Sequence, residues 1–152
     1  MKYRRPPAVD AAEPHLLVLL TLGVREYRSA VRARLLRSGF DDLPRSGSWV
    51  LVTIGAAPAT VGELAARLGT TKQGLSRLSD VMVERGYLRR SSDPSDHRLV
   101  SLGLTARGRA AAKSIFAAVK EVDRSVDQRV GPGGRARAER ELRAAFGTGV
   151  QL

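Results

Sequence analysis

Four side chains near residue 72 carry the donors and acceptors that nucleic acid offers partners to. Lys72, Gln73, Ser76 and Arg77 fall at i, i+1, i+4 and i+5, while the apolar Leu75, Leu78 and Met82 take other positions. On a helix this spacing gathers the four on one face near the N-terminus. A guanidinium or ammonium group pairs with guanine O6 and N7, and a carboxamide with adenine N6 and N7. The hydroxyls of Thr70, Thr71 and Ser76, with the free amides of a helix start, suit phosphate oxygens. The plain alternative is a solvated polar side that binds nothing.

The next thirty residues favour the first reading. Residues 87–91 and 99–104 alternate apolar and polar, and Ser-Asp-Pro-Ser-Asp-His at 92–97 is a polar turn. That pattern predicts a β-hairpin with a charged tip. Arg89 and Arg90 lie on its first strand, and Asp96 and Arg98 at its tip. An arginine-tipped hairpin beside such a helix is a wing: Arg98 can enter an adjacent minor groove, where negative potential attracts guanidinium. Between residues 67 and 109, nine bases stand against four acids. The whole chain carries +11, from 26 Lys and Arg against 15 Asp and Glu. Such an excess favours a polyanionic partner, nucleic acid or an anionic membrane. Only four of the bases are Lys, and an Arg-rich bias of that kind also arises from GC-rich coding.

These groups need a scaffold, and the periodicity supplies one. Residues 1–13 read as a flexible basic tail, with Lys2, Arg4 and Arg5 beside two prolines. A long helix begins at Pro14 and closes at Gly39, its stripe formed by Leu16, Leu20, Val24, Tyr27, Val31 and Leu35. A second helix is expected from Pro44 to Ile54. Thr60-Val-Gly-Glu63 reads as a capping box opening a short helix that ends at Gly69. The helix bearing Lys72 follows from Thr70 or Thr71 to Arg85. Thr105 opens a second long helix with Ala112, Ile115, Val119, Val122, Val126 and Val130 on one stripe. Gly131-Pro-Gly-Gly134 interrupts it, and a last helix runs to Phe146. The fold class is mainly α with a small β-hairpin wing: a winged helix-turn-helix region at 41–104, and a helical dimerisation region at 14–40 and 105–147.

Other classes are poorly served. Without Cys there is no disulfide, thiolate metal site or thiol nucleophile, and two histidines, His15 and His97, leave little for zinc. No hydrolytic triad, phosphate loop or paired acids appear, so no catalytic residue, metal site or cofactor is expected. The longest apolar run, from Leu16 to Val24, is broken by Thr21 and Gly23. A bilayer needs about 20 residues, and the acids Asp10 and Glu13 before the run argue against a signal peptide. The expected location is the bacterial cytoplasm, with the nucleoid.

Several stretches together resemble the MarR family of bacterial regulators. They are Val61-Gly-Glu-Leu-Ala65, Thr71-Lys-Gln73 with Ser76-Arg77, Gly86-Tyr-Leu-Arg89, Asp93-Pro-Ser-Asp-His-Arg98 and Leu104-Thr-Ala-Arg-Gly108. The resemblance covers roughly residues 14–147. It implies a homodimer with interlocked first and last helices, each protomer presenting one recognition helix and one wing. By that likeness Lys72, Gln73, Ser76 and Arg77 face the major groove of double-stranded DNA, Arg98 faces the minor groove, and Asp96 braces the wing. Three features depart from the family pattern: small residues at Arg45-Ser-Gly-Ser48, Gly103 late in the wing strand, and the glycine-rich break at 131–134.

The resemblance also implies transcriptional repression released by a small aromatic ligand. A pocket for it would lie between the dimer helices and the winged region, with His15 and Trp49 the residues to follow. The ordinary reading makes Trp49 plain core and His15 an exposed helix start. The long apolar stripes fit either a symmetric dimer or a bundle within one chain. The competing function is an architectural nucleic-acid-binding protein that uses charge without sequence readout.

Overall fold

The computed structural model describes residues 15–55, 57–92 and 100–147. The tail expected over 1–13 and the hairpin tip with Asp96 and Arg98 lie outside these residues. The described chain runs α1 (Leu16–Arg37), α2 (Gly47–Ile54), β1 (Ala59–Thr60), α3 (Val61–Arg67), α4 (Lys72–Glu84), β2 (Leu88–Ser92), β3 (Val100–Leu104), α5 (Ala106–Val130) and α6 (Gly134–Phe146). It is mainly helical with one antiparallel sheet in the order β1-β3-β2, the fold class expected above.

Local chemistry explains how the helix-turn-helix closes. Thr60 caps α3 in a reciprocal box: the Glu63 amide donates to Thr60 Oγ1 at 3.2 Å, and the Thr60 amide to Glu63 Oε2 at 2.7 Å. Gly69 then turns the chain at φ +60°, a conformation that a side chain would strain. The Thr70 amide folds back onto the Ala65 carbonyl at 3.0 Å and that of Gly69 onto Ala66, which satisfies the last carbonyls of α3. Thr71 immediately caps α4 by accepting from the Gly74 amide at 3.1 Å.

The winged region has its own core. Val50 and Leu51 of α2, Leu64 of α3, Leu75 and Met82 of α4, Tyr87, Leu88 of β2 and Leu102 of β3 are at most 2% exposed. Two details differ from the sequence reading. Helix α2 begins at Gly47, not Pro44; residues 44–46 form a turn closed by the Gly47 amide on the Pro44 carbonyl at 2.8 Å. A Cβ at Gly47 would press on Leu43 at 3.1 Å and on Met82 sulfur at 3.3 Å, so the small residues at this helix start make room for α4. Strand β1 was not foreseen. It pairs Ala59 with Leu102 and Thr60 with Ser101, and two residues are too few for alternation to register.

The segment Leu104-Thr-Ala-Arg-Gly108 is a joint. Thr105 Oγ1 accepts from the Gly108 amide at 3.0 Å and donates to the Gly86 carbonyl at 2.6 Å, while the Thr105 amide donates to Tyr87 O at 3.1 Å. A Cβ on Gly108 would lie 2.1 Å from Tyr87 O. Only glycine lets the start of α5 approach the turn after α4 so closely.

The long stripes divide. On α5, Ala112, Ile115 and Val122 are buried, Val119 and Val126 half-buried, and Val130 exposed. On α1 the C-terminal half packs against α5, with Leu35 buried and Tyr27 and Val31 half-buried. Its N-terminal half is largely bare, with Leu20 half-buried. Leu16, Leu17, Leu19, Leu22 and Val24 are exposed, Leu17 to 75%. An intrachain bundle therefore accounts for only half of the stripe.

Candidate nucleic-acid interface

Helix α4 separates its two chemistries. Leu75, Ser79 and Met82 are buried, with Ser79 Oγ donating to the Leu75 carbonyl at 2.7 Å. Thr70, Thr71, Lys72, Gln73 and Arg77 are exposed and Ser76 is half-buried. The structure thus brings together the residues that the spacing placed on one face. Neither Lys72 nor Arg77 has an acidic partner among the described residues. The amides of Lys72 and Gln73, in the first turn, have no intrahelical acceptor. The helix therefore ends in a cluster of free donors backed by the positive end of its dipole. The Thr71 oxygen is engaged in the cap, which leaves its proton for an acceptor outside.

The sheet is fastened to α4 by an ion pair between Arg90 of β2 and Asp80 of α4. Alternation along β2 sends Arg89 to the opposite face, where it lies beside its cross-strand partner Gly103. Arg89 is therefore not part of the Lys72–Arg77 cluster, although the sequence reading grouped them. Asp96 and Arg98 lie outside the described residues.

A second constellation, which the sequence reading missed, holds the winged region to its frame. Asp42, between α1 and α2, accepts at Oδ1 from the Tyr87 hydroxyl and from Arg107 Nη2 at 2.9 Å. Arg85 donates to the Asp42 backbone carbonyl, and Arg107 Nη1 to the Arg85 carbonyl at 2.7 Å. The Arg107 guanidinium sits 4.5 Å from the centre of the Tyr87 ring. Burial, reinforced by the bond to Asp42, pushes the Tyr87 hydroxyl up to about 12. That same bond, and then Arg107, hold the Asp42 carboxyl below its ordinary value. The linker before α2, the turn after α4 and the start of α5 thus meet at one carboxylate. The only signal in the sequence was an acid in a short linker, which matches many surface loops. A similar contact joins α1 to α5: the Tyr27 hydroxyl donates to Asp123 at 2.6 Å, and burial raises it to about 12.

The residues proposed for an effector pocket are not together in any cavity seen here. Trp49 is 54% exposed. The core reading of Trp49 is corrected, because α2 buries Val50, Leu51 and Ile54 and turns residue 49 outward. His15 is exposed at the start of α1, without a side-chain cap bond. The larger groove, about 510 Å³, runs between α1 and α5 along Arg25, Glu26, Ala33, Glu121, Val122 and Ser125. A smaller cleft of about 160 Å³ lies behind the sheet. Neither touches His15 or Trp49. Among the described residues no group of three His, Asp or Glu could hold a metal ion, and no helix is long and apolar enough to cross a membrane.

Comparison with known proteins places this geometry. Residues 41–99 match the model of the MarR family, a span that takes in α2 to β2. The exopolysaccharide II synthesis transcriptional activator ExpG of Rhizobium meliloti is 27% identical over 102 residues, 67% of this chain and 53% of the activator. The chain thus spans about half the length of the curated relative it matches. A MarR family protein of Mycobacterium tuberculosis, solved in complex with salicylic acid, superposes with a TM-score of 0.64 at 26% identity, over 90% of this chain and 99% of its own. Wild-type MarR of E. coli in its apo form gives 0.67 at 23% identity, over 90% and 99%. The winged region is similar to the MarR family, and with the helical frame that carries it the chain has the winged helix-turn-helix fold of these solved structures.

Proposed function

We propose that the chain regulates transcription by binding a pseudo-palindromic double-stranded DNA site as a homodimer. The observation that carries this reading is the start of α4. Lys72, Gln73 and Arg77 stand exposed on one side, unpaired with acids among the described residues, while the other side is locked into the core. Lys72, Gln73, Ser76 and Arg77 read the major groove, with Thr70 and Thr71 on phosphates. Arg98 enters the minor groove and Asp96 braces the hairpin around it. The exposed leucines of α1, with Val130 and Phe146 near the ends of α5 and α6, supply the face that a second copy covers.

The test is selection of bound sequences from random duplex DNA, followed by footprinting. The expected site has two-fold symmetry with half-site centres about 10 bp apart, preferred over random duplex by roughly 10³-fold or more. Affinity independent of sequence would instead support the architectural reading. Repression is the expected output where the site overlaps a promoter. The Rhizobium meliloti relative is named as an activator, so we assign the sign of regulation to the position of the site and not to the fold. A small aromatic acid is the proposed effector, held near His15 and Trp49 where a second copy closes over them. A panel of aromatic acids that leaves DNA affinity unchanged at millimolar concentration would remove that assignment. The site of action is the bacterial cytoplasm, on the nucleoid.

A further inference from the structure

The sheet presents a basic group that the reading of α4 leaves unused. Alternation along β2 puts Arg90 on the side of the buried Leu88, toward α4. There its Nη2 donates to Asp80 Oδ1. Asp80 lies three residues beyond Arg77, four beyond Ser76 and seven beyond Gln73, so it shares their side of the helix. The outward side of α4 thus changes sign along its length. Lys72 and Arg77 come first, then Asp80 and Glu84, all exposed. A bare carboxylate so close to the reading residues repels a polyanion. Arg90 neutralises the nearer of the two acids.

Two features make the pair more than a staple. Its side chains are 49% and 55% exposed, and an ion pair in that setting adds little to stability. It also engages only one nitrogen of Arg90, whose side chain makes no other hydrogen bond among the described residues. A guanidinium carries several N–H donors in a planar fork. Held by one edge against a carboxylate, it keeps its other edge for a second anionic oxygen, and phosphate oxygens suit that geometry. Arg89, next to it in sequence, faces the other way beside Gly103. We propose that Arg90 contacts the DNA phosphate backbone alongside the groove that α4 reads, and that Asp80 is its positioning residue. The assignment rests on the reading of α4 as the DNA-facing helix. It makes Asp80 a residue that favours binding although its charge opposes it.

Fluorescence anisotropy of the full chain across a salt series, on a selected operator and on random duplex, tests it. Arg90→Gln should weaken binding to both by about tenfold, the low end for a lost hydrogen bond to a charged group. It should also lower the slope of log affinity against log salt by about one. Arg90→Lys, which keeps the charge, should keep most of the slope. Asp80→Ala should weaken binding by about threefold in the unmodified chain. In the Arg90→Gln background, where only its repulsion remains, the same change should strengthen binding. Circular dichroism of each variant confirms that it is folded. Stronger binding in Asp80→Ala alone, an altered base preference in that variant, or an unchanged salt slope in folded Arg90→Gln would overturn the proposal. Equal binding of every duplex by the unmodified chain would end the regulatory reading and still decide this one, because a phosphate contact carries no sequence. No binding to any duplex would overturn both.

Discussion

Replacing Asp42 should destabilise the protein more than replacing the tyrosine it serves. The Tyr87 side chain is fully buried, and its hydroxyl donates to Asp42. Asp42→Ala leaves that hydroxyl without its acceptor, at a cost of about 1–3 kcal/mol. It also removes the pair with Arg107, whose two side chains are 40% and 37% exposed, so that loss adds only about 0–1 kcal/mol. The total is about 1–4 kcal/mol. Tyr87→Phe removes the donor instead. Asp42, partly exposed, keeps Arg107 and regains water, so only the net worth of one hydrogen bond is lost, about 0.5–1.5 kcal/mol. The double variant orphans nothing and should be no less stable than Asp42→Ala alone. Urea unfolding followed by circular dichroism, at matched chain concentration because association shifts apparent stability, reads all three. For a chain of this size each kcal/mol is worth about 2–4 °C in Tm. A Tyr87→Phe loss equal to that of Asp42→Ala, or strictly additive losses in the double variant, would refute the assignment of Asp42 as the obligatory acceptor.

The other expectations follow from the same contacts. Tyr87 and Tyr27 are raised from 10.0 to about 12, so folding favours their protonated forms; stability should fall as pH rises from about 10 to 12, less steeply in Tyr87→Phe, as read by chemical denaturation across that range. Gly108→Ala forces a Cβ to within 2.1 Å of Tyr87 O, and a shift of α5 to relieve it should cost about 1–3 kcal/mol or more, measured by the same unfolding. Leu19→Asp places a charge on the exposed face of α1 and should convert a dimer to monomer in analytical ultracentrifugation with the winged region still folded. Arg77→Ala and Lys72→Ala should each weaken operator binding by about 1–3 kcal/mol and relax preference at the base pair each one reads.

Much of this protein was determined locally. The capping box at Thr60 and Glu63, the turn at Gly69, the N-cap at Thr71 and the face of Lys72, Gln73 and Arg77 follow from interactions within four or five residues, and such short-range rules are written in the chain. Only the tertiary structure decided the rest. Arg89 and Arg90 are adjacent and chemically alike, yet strand pairing sends Arg90 to Asp80 and Arg89 to the other face beside Gly103. Trp49, which composition favours as core, faces outward because Val50, Leu51 and Ile54 fill the space that α3, α4 and α5 leave. Asp42 meets Tyr87 and Arg107 across 45 and 65 residues, and no local pattern encodes a contact at that distance. Periodicity marks which side of a helix is apolar; what covers that side is settled by the order in which distant elements pack, and α5 covers α1 along only part of its length.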